Sequence, residues 1–96
     1  MARVVVTERA QTNLRTMIRT HSLPPTTRER VRLAITPLAA YPQLGPRLVG
    51  RWAHLRFVLG PWPWMLIVYQ WDEAADTVVV VTIQDARSSR AATSDP

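Results

Sequence analysis

His54 and Arg56 stand two positions apart in a stretch that alternates apolar and polar residues. Along 52–59, Ala53, Leu55, Phe57 and Leu59 alternate with Trp52, His54, Arg56 and Val58. Side chains at i and i+2 of an extended strand share a face, so the spacing predicts one apolar face and one carrying His54 and Arg56. Histidine can take or give a proton near neutral pH, and arginine can clamp a phosphate or carboxylate with its planar fork. The pair also reads as an exposed strand histidine next to a surface arginine that meets a partner's carboxylate. Arg87 and Arg90 add cations near the C-terminal end, either of which also reads as a charge that solubilises the tail, Arg90 more readily so.

Four tryptophans, Trp52, Trp62, Trp64 and Trp71, crowd the stretch 52–71. Such rings stack on bases, line a groove for a partner helix, or fill a small core. The expected division places Trp64 in the core and leaves Trp52 and Trp62 exposed as contact residues, with Arg51 next to Trp52. Tyr69, in a buried strand, is expected in the core with its hydroxyl satisfied. His21 falls in a loop and is expected to be solvated.

Other chemistries find little support. The chain has no cysteine and only two histidines, far apart in sequence, so neither a thiol nucleophile nor a metal centre is expected. Asp72, Glu73 and Asp76 read as solvation of a hairpin loop rather than paired catalytic carboxylates. There is no glycine-rich phosphate loop, and no cofactor is expected.

The net charge is +5, and all twelve basic residues other than histidine are arginine. Anionic partners follow from that excess: nucleic acid or an acidic protein segment. The apolar run Val4-Val5-Val6 is short for a secretion signal and no stretch suits a membrane helix, so a cytoplasmic protein without a membrane partner is expected. Ninety-six residues make one domain of modest core.

These residues have to be positioned by few elements. Residues 3–6 are β-branched and read as a strand. Thr7 is a fair helix cap, and Ala10, Leu14, Met17 and Ile18 form one helical face ending before Pro24-Pro25. Thr26 and Glu29 have capping-box spacing for a second helix with Val31, Ala34, Ile35 and Leu38 inward, kinked late by Pro37. Strands follow over 52–59, 64–71 and 77–83. The second is apolar enough to be buried on both faces. The reading is an α+β single domain, β-α-α-β-β-β, over residues 1–87, followed by a polar, flexible tail at 88–96.

This order, with its landmarks, resembles the RelE/ParE superfamily. The matching features are the opening strand and helix with Ala10 and Leu14; Leu38-Ala39-Ala40-Tyr41-Pro42-Gln43-Leu44-Gly45; Leu48, Arg56 and Gly60; Leu66-Ile67-Val68-Tyr69-Gln70; and Val78 to Ile83 followed by Arg87. The resemblance implies a curved antiparallel sheet with a helical hairpin on one face and a basic concave face opposite. It implies a toxin neutralised by a cognate acidic antitoxin and aimed at DNA gyrase or at ribosome-bound mRNA. It places His54, Arg56 and Arg87 as the residues of a metal-independent RNA-cleaving site, and Arg51, Trp52, Trp62, Tyr69 and Arg90 in antitoxin or target binding. One position departs: Leu66 stands where the family's nucleases carry a strand arginine, and leucine cannot stabilise a phosphorane. The departure leaves room for a toxin that acts by binding, or for a degenerate toxin fold that only forms a complex.

Overall fold

The structure, a computed structural model, describes residues 1–88 and 90–93. Chain order is β1 (Arg3–Val6), α1 (Glu8–Thr20), α2 (Thr27–Ile35), β2 (Arg56–Leu59), β3 (Met65–Asp72) and β4 (Thr77–Asp85), with short 3-10 turns at Thr36–Ala39 and Gly50–Trp52. The expected β-α-α-β-β-β order stands.

Thr7 caps α1 from an extended backbone, its Oγ1 accepting from the Ala10 amide at 3.1 Å. Ala10, Leu14 and Met17 are the buried face of that helix. The capping box expected for α2 does not form. Thr26 makes no side-chain cap bond, and Glu29 pairs with Arg32 one turn on. Thr27 instead donates its hydroxyl to the Pro24 carbonyl at 2.6 Å. Pro37 lacks the N–H that would continue α2, so the chain tightens into the 3-10 turn there.

The sheet runs β1-β4-β3-β2. β2, β3 and β4 form the expected antiparallel meander, while β1 joins β4 in parallel, Arg3 opposite Thr77 through Val6 opposite Val80, so the sheet is mixed. β1 ends at Val6, opposite Val80, leaving the rest of that β4 edge open. α1 covers it: Thr7 Oγ1 donates to the Val80 and Val81 carbonyls at 3.0 and 3.2 Å, and Asn13 Oδ1 accepts from the Ile83 amide and the Thr82 hydroxyl. A bulge opposite Val68/Tyr69 leaves Val81 without a register partner.

Both faces of the sheet carry a core. On the first, α1 and α2 pack Ala10, Leu14, Met17, Val31 and Ile35 over Met65, Ile67, Tyr69, Val78 and Val80. On the second, Leu48, Leu55, Leu66, Val68 and Ala92 are buried, with Trp52, Phe57, Val81 and Ala86 partly so. β3 is buried on both faces from Met65 to Tyr69, as its apolar run predicts.

Two expectations change. The strand foreseen from Trp52 begins only at Arg56, because the backbone before it bonds locally: Trp52 N–H to Val49, Ala53 N–H to Gly50 and Leu55 N–H to Trp52. The C-terminal segment foreseen as frayed is docked at Ala91 and Ala92, which are buried, the Ala92 amide donating to Gln84 Oε1 at 2.8 Å. Residues 94–96 lie outside the described residues. Among the described residues no helix is long and apolar enough to cross a membrane.

Candidate functional site

The three residues expected to share one site are placed apart. Arg56 opens β2 opposite Tyr69, on the helix side of the sheet, where Val58 also points while Phe57 faces the other way. Its Nη1 donates to the Gly45 carbonyl at 2.9 Å and reaches the Gln43 carbonyl at 3.4 Å. His54 precedes β2 in a turn and lines a hollow on the second face. The sheet therefore stands between His54 and Arg56, and the shared strand face expected for them does not exist. Arg87 follows β4 at the end of the meander where Met65 meets Asp85, four residues or about 13 Å along β3 from the Arg56–Tyr69 pair.

Tyr69 is buried, as expected, and its hydroxyl is fully used. It donates to the Pro42 carbonyl at 2.8 Å and accepts from the Gly45 amide at 3.0 Å. Burial pushes its phenol up from the ordinary value, opposed by the Gly45 amide and the Arg56 charge. Tyr69 and Arg56 together thus hold the loop that leads into β2.

Arg87 is tied to Asp85 by two bonds, Nε to Oδ1 at 2.9 Å and Nη2 to Oδ2 at 2.8 Å, and its guanidinium lies 4.7 Å over Trp64. His21, expected to be solvated, meets Asp85 through Nε2 at 3.0 Å and stacks on Trp64 at 5.0 Å. Trp62 stacks on Trp64 in turn, with Arg30 above it. Trp62 and Trp64 are both half-buried against the first core. Arg90, exposed, lines a cleft of about 530 Å³ with His21 and Asp85.

The Arg87 guanidinium holds the Asp85 carboxyl well below the usual range, with the Arg87 amide and His21 helping against desolvation. A carboxyl lowered in the folded state adds stability above its unfolded value near ~4 and loses it as pH falls below that. Asp85→Asn is therefore expected to lower the urea midpoint at pH 6 and to flatten the acid limb below about pH 4. A variant whose midpoint tracks the parent's in parallel through that limb would remove Asp85 from the acid response.

Unpaired polar groups gather on the second face. Arg9 from α1, His54 from the turn before β2, and Gln70 and Gln84 from β3 and β4 line a hollow of about 220 Å³, with Trp52, Leu55, Val81 and Thr82. Arg9, His54 and Gln70 make no side-chain hydrogen bond or ion pair among the described residues. The indole N–H of Trp52 is buried in the hollow's wall without an acceptor, while Arg51 lies 5.2 Å over its ring. A cation, an imidazole and the Gln70 amide converging without partners among the described residues, beside a Gln84 side chain whose oxygen is taken by the Ala92 amide, suit an anionic, hydrogen-bonding ligand. Of this set the sequence reading reached His54 and Trp52. Arg9 stood off the apolar face of α1, and Gln70 alternates with buried Tyr69, which is the signal that could have brought them in. Leu66 is buried beneath this face, so no strand arginine reaches it. Among the described residues, no three acidic or histidine side chains gather as a metal site.

No protein-family model matches the chain, and no curated protein sequence does. Solved structures match it well. A chain of the RelBE2 toxin–antitoxin complex of Mycobacterium tuberculosis superposes with a TM-score of 0.65 at 23% identity, covering 88% of this chain and 96% of that one. The isolated RelE toxin of E. coli gives 0.67 at 18% identity, over 94% and 89%. A metal-bound toxin of Helicobacter pylori gives 0.61 at 16%, over 88% and 94%. Nearly the whole of each chain is matched in every case, and the protein has the fold of the RelE toxins.

Proposed function

We propose that this protein is the toxin of a type II toxin–antitoxin pair, held inactive by an acidic antitoxin and acting by binding its target rather than by cleaving RNA. The observation that carries the first half is the end-to-end match to RelE toxins, some of them solved within toxin–antitoxin complexes, together with a net charge of +5. An all-arginine cation set suits a carboxylate-rich partner. The second half rests on the separation of His54, Arg56 and Arg87. Metal-free RNA cleavage needs a base, an acid and positive charge around one phosphate. Here Arg56 is turned to the loop carbonyls and Arg87 to Asp85. DNA gyrase is the target this reading favours. The same separation favours a second reading, a toxin fold that only forms a complex with its antitoxin.

Expression from a tight promoter, alone and with whatever small acidic protein is encoded beside it, tests both. Expected is loss of colony formation with filamentation and DNA damage, relieved by the acidic partner. Arg9→Ala with His54→Ala is expected to weaken killing at least tenfold while the thermal midpoint stays put, since both side chains are unpaired and their exchange leaves no buried group unsatisfied. Codon-periodic mRNA cleavage would overturn the binding mode and return the protein to the nucleases. Unimpaired growth at high expression would leave the complex-forming reading alone.

A further inference from the structure

The loop between the 3-10 turn at Thr36–Ala39 and β2 presents two apolar side chains to solvent. Tyr41 is 66% exposed and Leu44 57% exposed. Single exposed apolar residues are ordinary, but these two lie together with Pro42, Trp71 and Glu73 around a groove of about 540 Å³. The loop is held from beneath rather than loose. Tyr69 binds Pro42 and Gly45, and Arg56 binds Gly45 and Gln43. A surface fixed before binding loses little entropy when it is covered.

The hairpin at this groove's rim is acidic in a basic molecule, while the Arg56 guanidinium under the loop is turned to the loop carbonyls. Three of the chain's seven acidic residues, Asp72, Glu73 and Asp76, fall in the one hairpin at its rim. Elsewhere Glu29 is spent on Arg32 and Asp85 on Arg87 and His21. Asp72 accepts from the Ala75 amide, and Glu73 makes no side-chain bond among the described residues. A basic protein thus carries an acidic pole beside a preformed apolar groove.

We propose that this groove docks a basic segment of a partner protein, one apolar side chain seated on Tyr41, Leu44 and Trp71 and flanking arginine or lysine meeting Glu73 and Asp72. An acidic antitoxin is repelled here, and so is nucleic acid, so the groove stays open when an anionic partner covers the basic surface. The proposal does not depend on the toxin reading.

The test is an NMR titration of the full chain with a synthetic peptide of alternating arginine and leucine, and with the glutamate–leucine peptide as control. The basic peptide is expected to move the amides of residues 40–44, the Trp71 indole and Glu73, with the acidic peptide silent. Asp72→Lys with Glu73→Lys, both fully on the surface, is expected to weaken binding by about tenfold or more, because attraction is replaced by repulsion at two sites. Tyr41→Ala should weaken it comparably with an unchanged circular dichroism spectrum. Equal binding by the acidic peptide, by the charge-reversed variant, or at residues elsewhere would overturn the proposal, as would no binding of the basic peptide. Sedimentation showing a dimer that protects this groove without peptide would assign it to a second copy instead.

Discussion

Leu66→Arg is expected to unfold the protein or destabilise it severely, although it introduces the arginine that the resemblance to the RelE/ParE superfamily implies at this strand position for a nuclease. Leu66 is 1% exposed, opposite Leu59 and Gln84 in the ladder and packed with Leu48, Leu55, Val68 and Ala92. A guanidinium placed there loses its hydration, and no acidic side chain belongs to that cluster. The effective penalty for burying an unpaired ion is several kcal/mol, against a total stability of about 5–15 kcal/mol for a domain of ordinary size. The least costly escape is to expel the segment that brings Ala92 onto this face, which exposes the rest of the second core. A thermal scan should therefore show either no transition or a midpoint lower by about 15–30 °C, at roughly 4–8 °C per kcal/mol for a chain of this length. Leu66→Met, which keeps volume and polarity, should cost under about 1.5 kcal/mol. If Leu66→Arg melts where the parent does, the second face is open to water and the case against a nuclease site on it is lost.

That second core is also where sequence reading stopped short. The elements with strong periodicity were legible: the apolar face of α1, the unbroken run of β3 and the β-branched run of β4 each need only their own residues to be recognised. The alternation in 52–59 was real, and Leu55 and Phe57 do point into a core. What it could not reveal is that the Val49, Gly50 and Trp52 carbonyls claim the backbone before Arg56. Nor could it reveal that the Gly45 carbonyl waits for the Arg56 guanidinium on the helix side. The capping box failed for a similar reason, since Arg32 competes for Glu29 more closely than the Thr26 amide does. Ala91 and Ala92 carry no local signal of burial among polar neighbours; only the face they cover makes them core. The hollow of Arg9, His54 and Gln70 unites three elements distant in sequence, so no spacing rule reaches it.

Gly45→Ala is expected to be the costliest small change in the molecule. A Cβ at Gly45 would lie 2.0 Å from the Phe57 carbonyl oxygen, 2.8 Å from its carbon and 3.1 Å from the Tyr69 hydroxyl. The obstacle is the β2 backbone, held in the ladder by its pairing to β3, and not a side chain that can rotate away. Overpacking ordinarily costs about 1–3 kcal/mol, and a rigid neighbour puts this case at the upper end, a fall in midpoint of roughly 12–24 °C. The loop must swing outward to make room, and in doing so it gives up the Tyr69 and Arg56 bonds together. Tyr69→Phe separates the two contributions. It leaves the space unchanged but strands the buried Gly45 amide and the Pro42 carbonyl, for a cost of about 1–3 kcal/mol. If backbone contact dominates, Gly45→Ala is the more destabilising and adding Tyr69→Phe to it costs little further, because the bonds are already broken. Fully additive losses would mean that the loop keeps its place over β2 in Gly45→Ala, and that Tyr69, rather than the missing side chain at position 45, sets where Tyr41 and Leu44 stand.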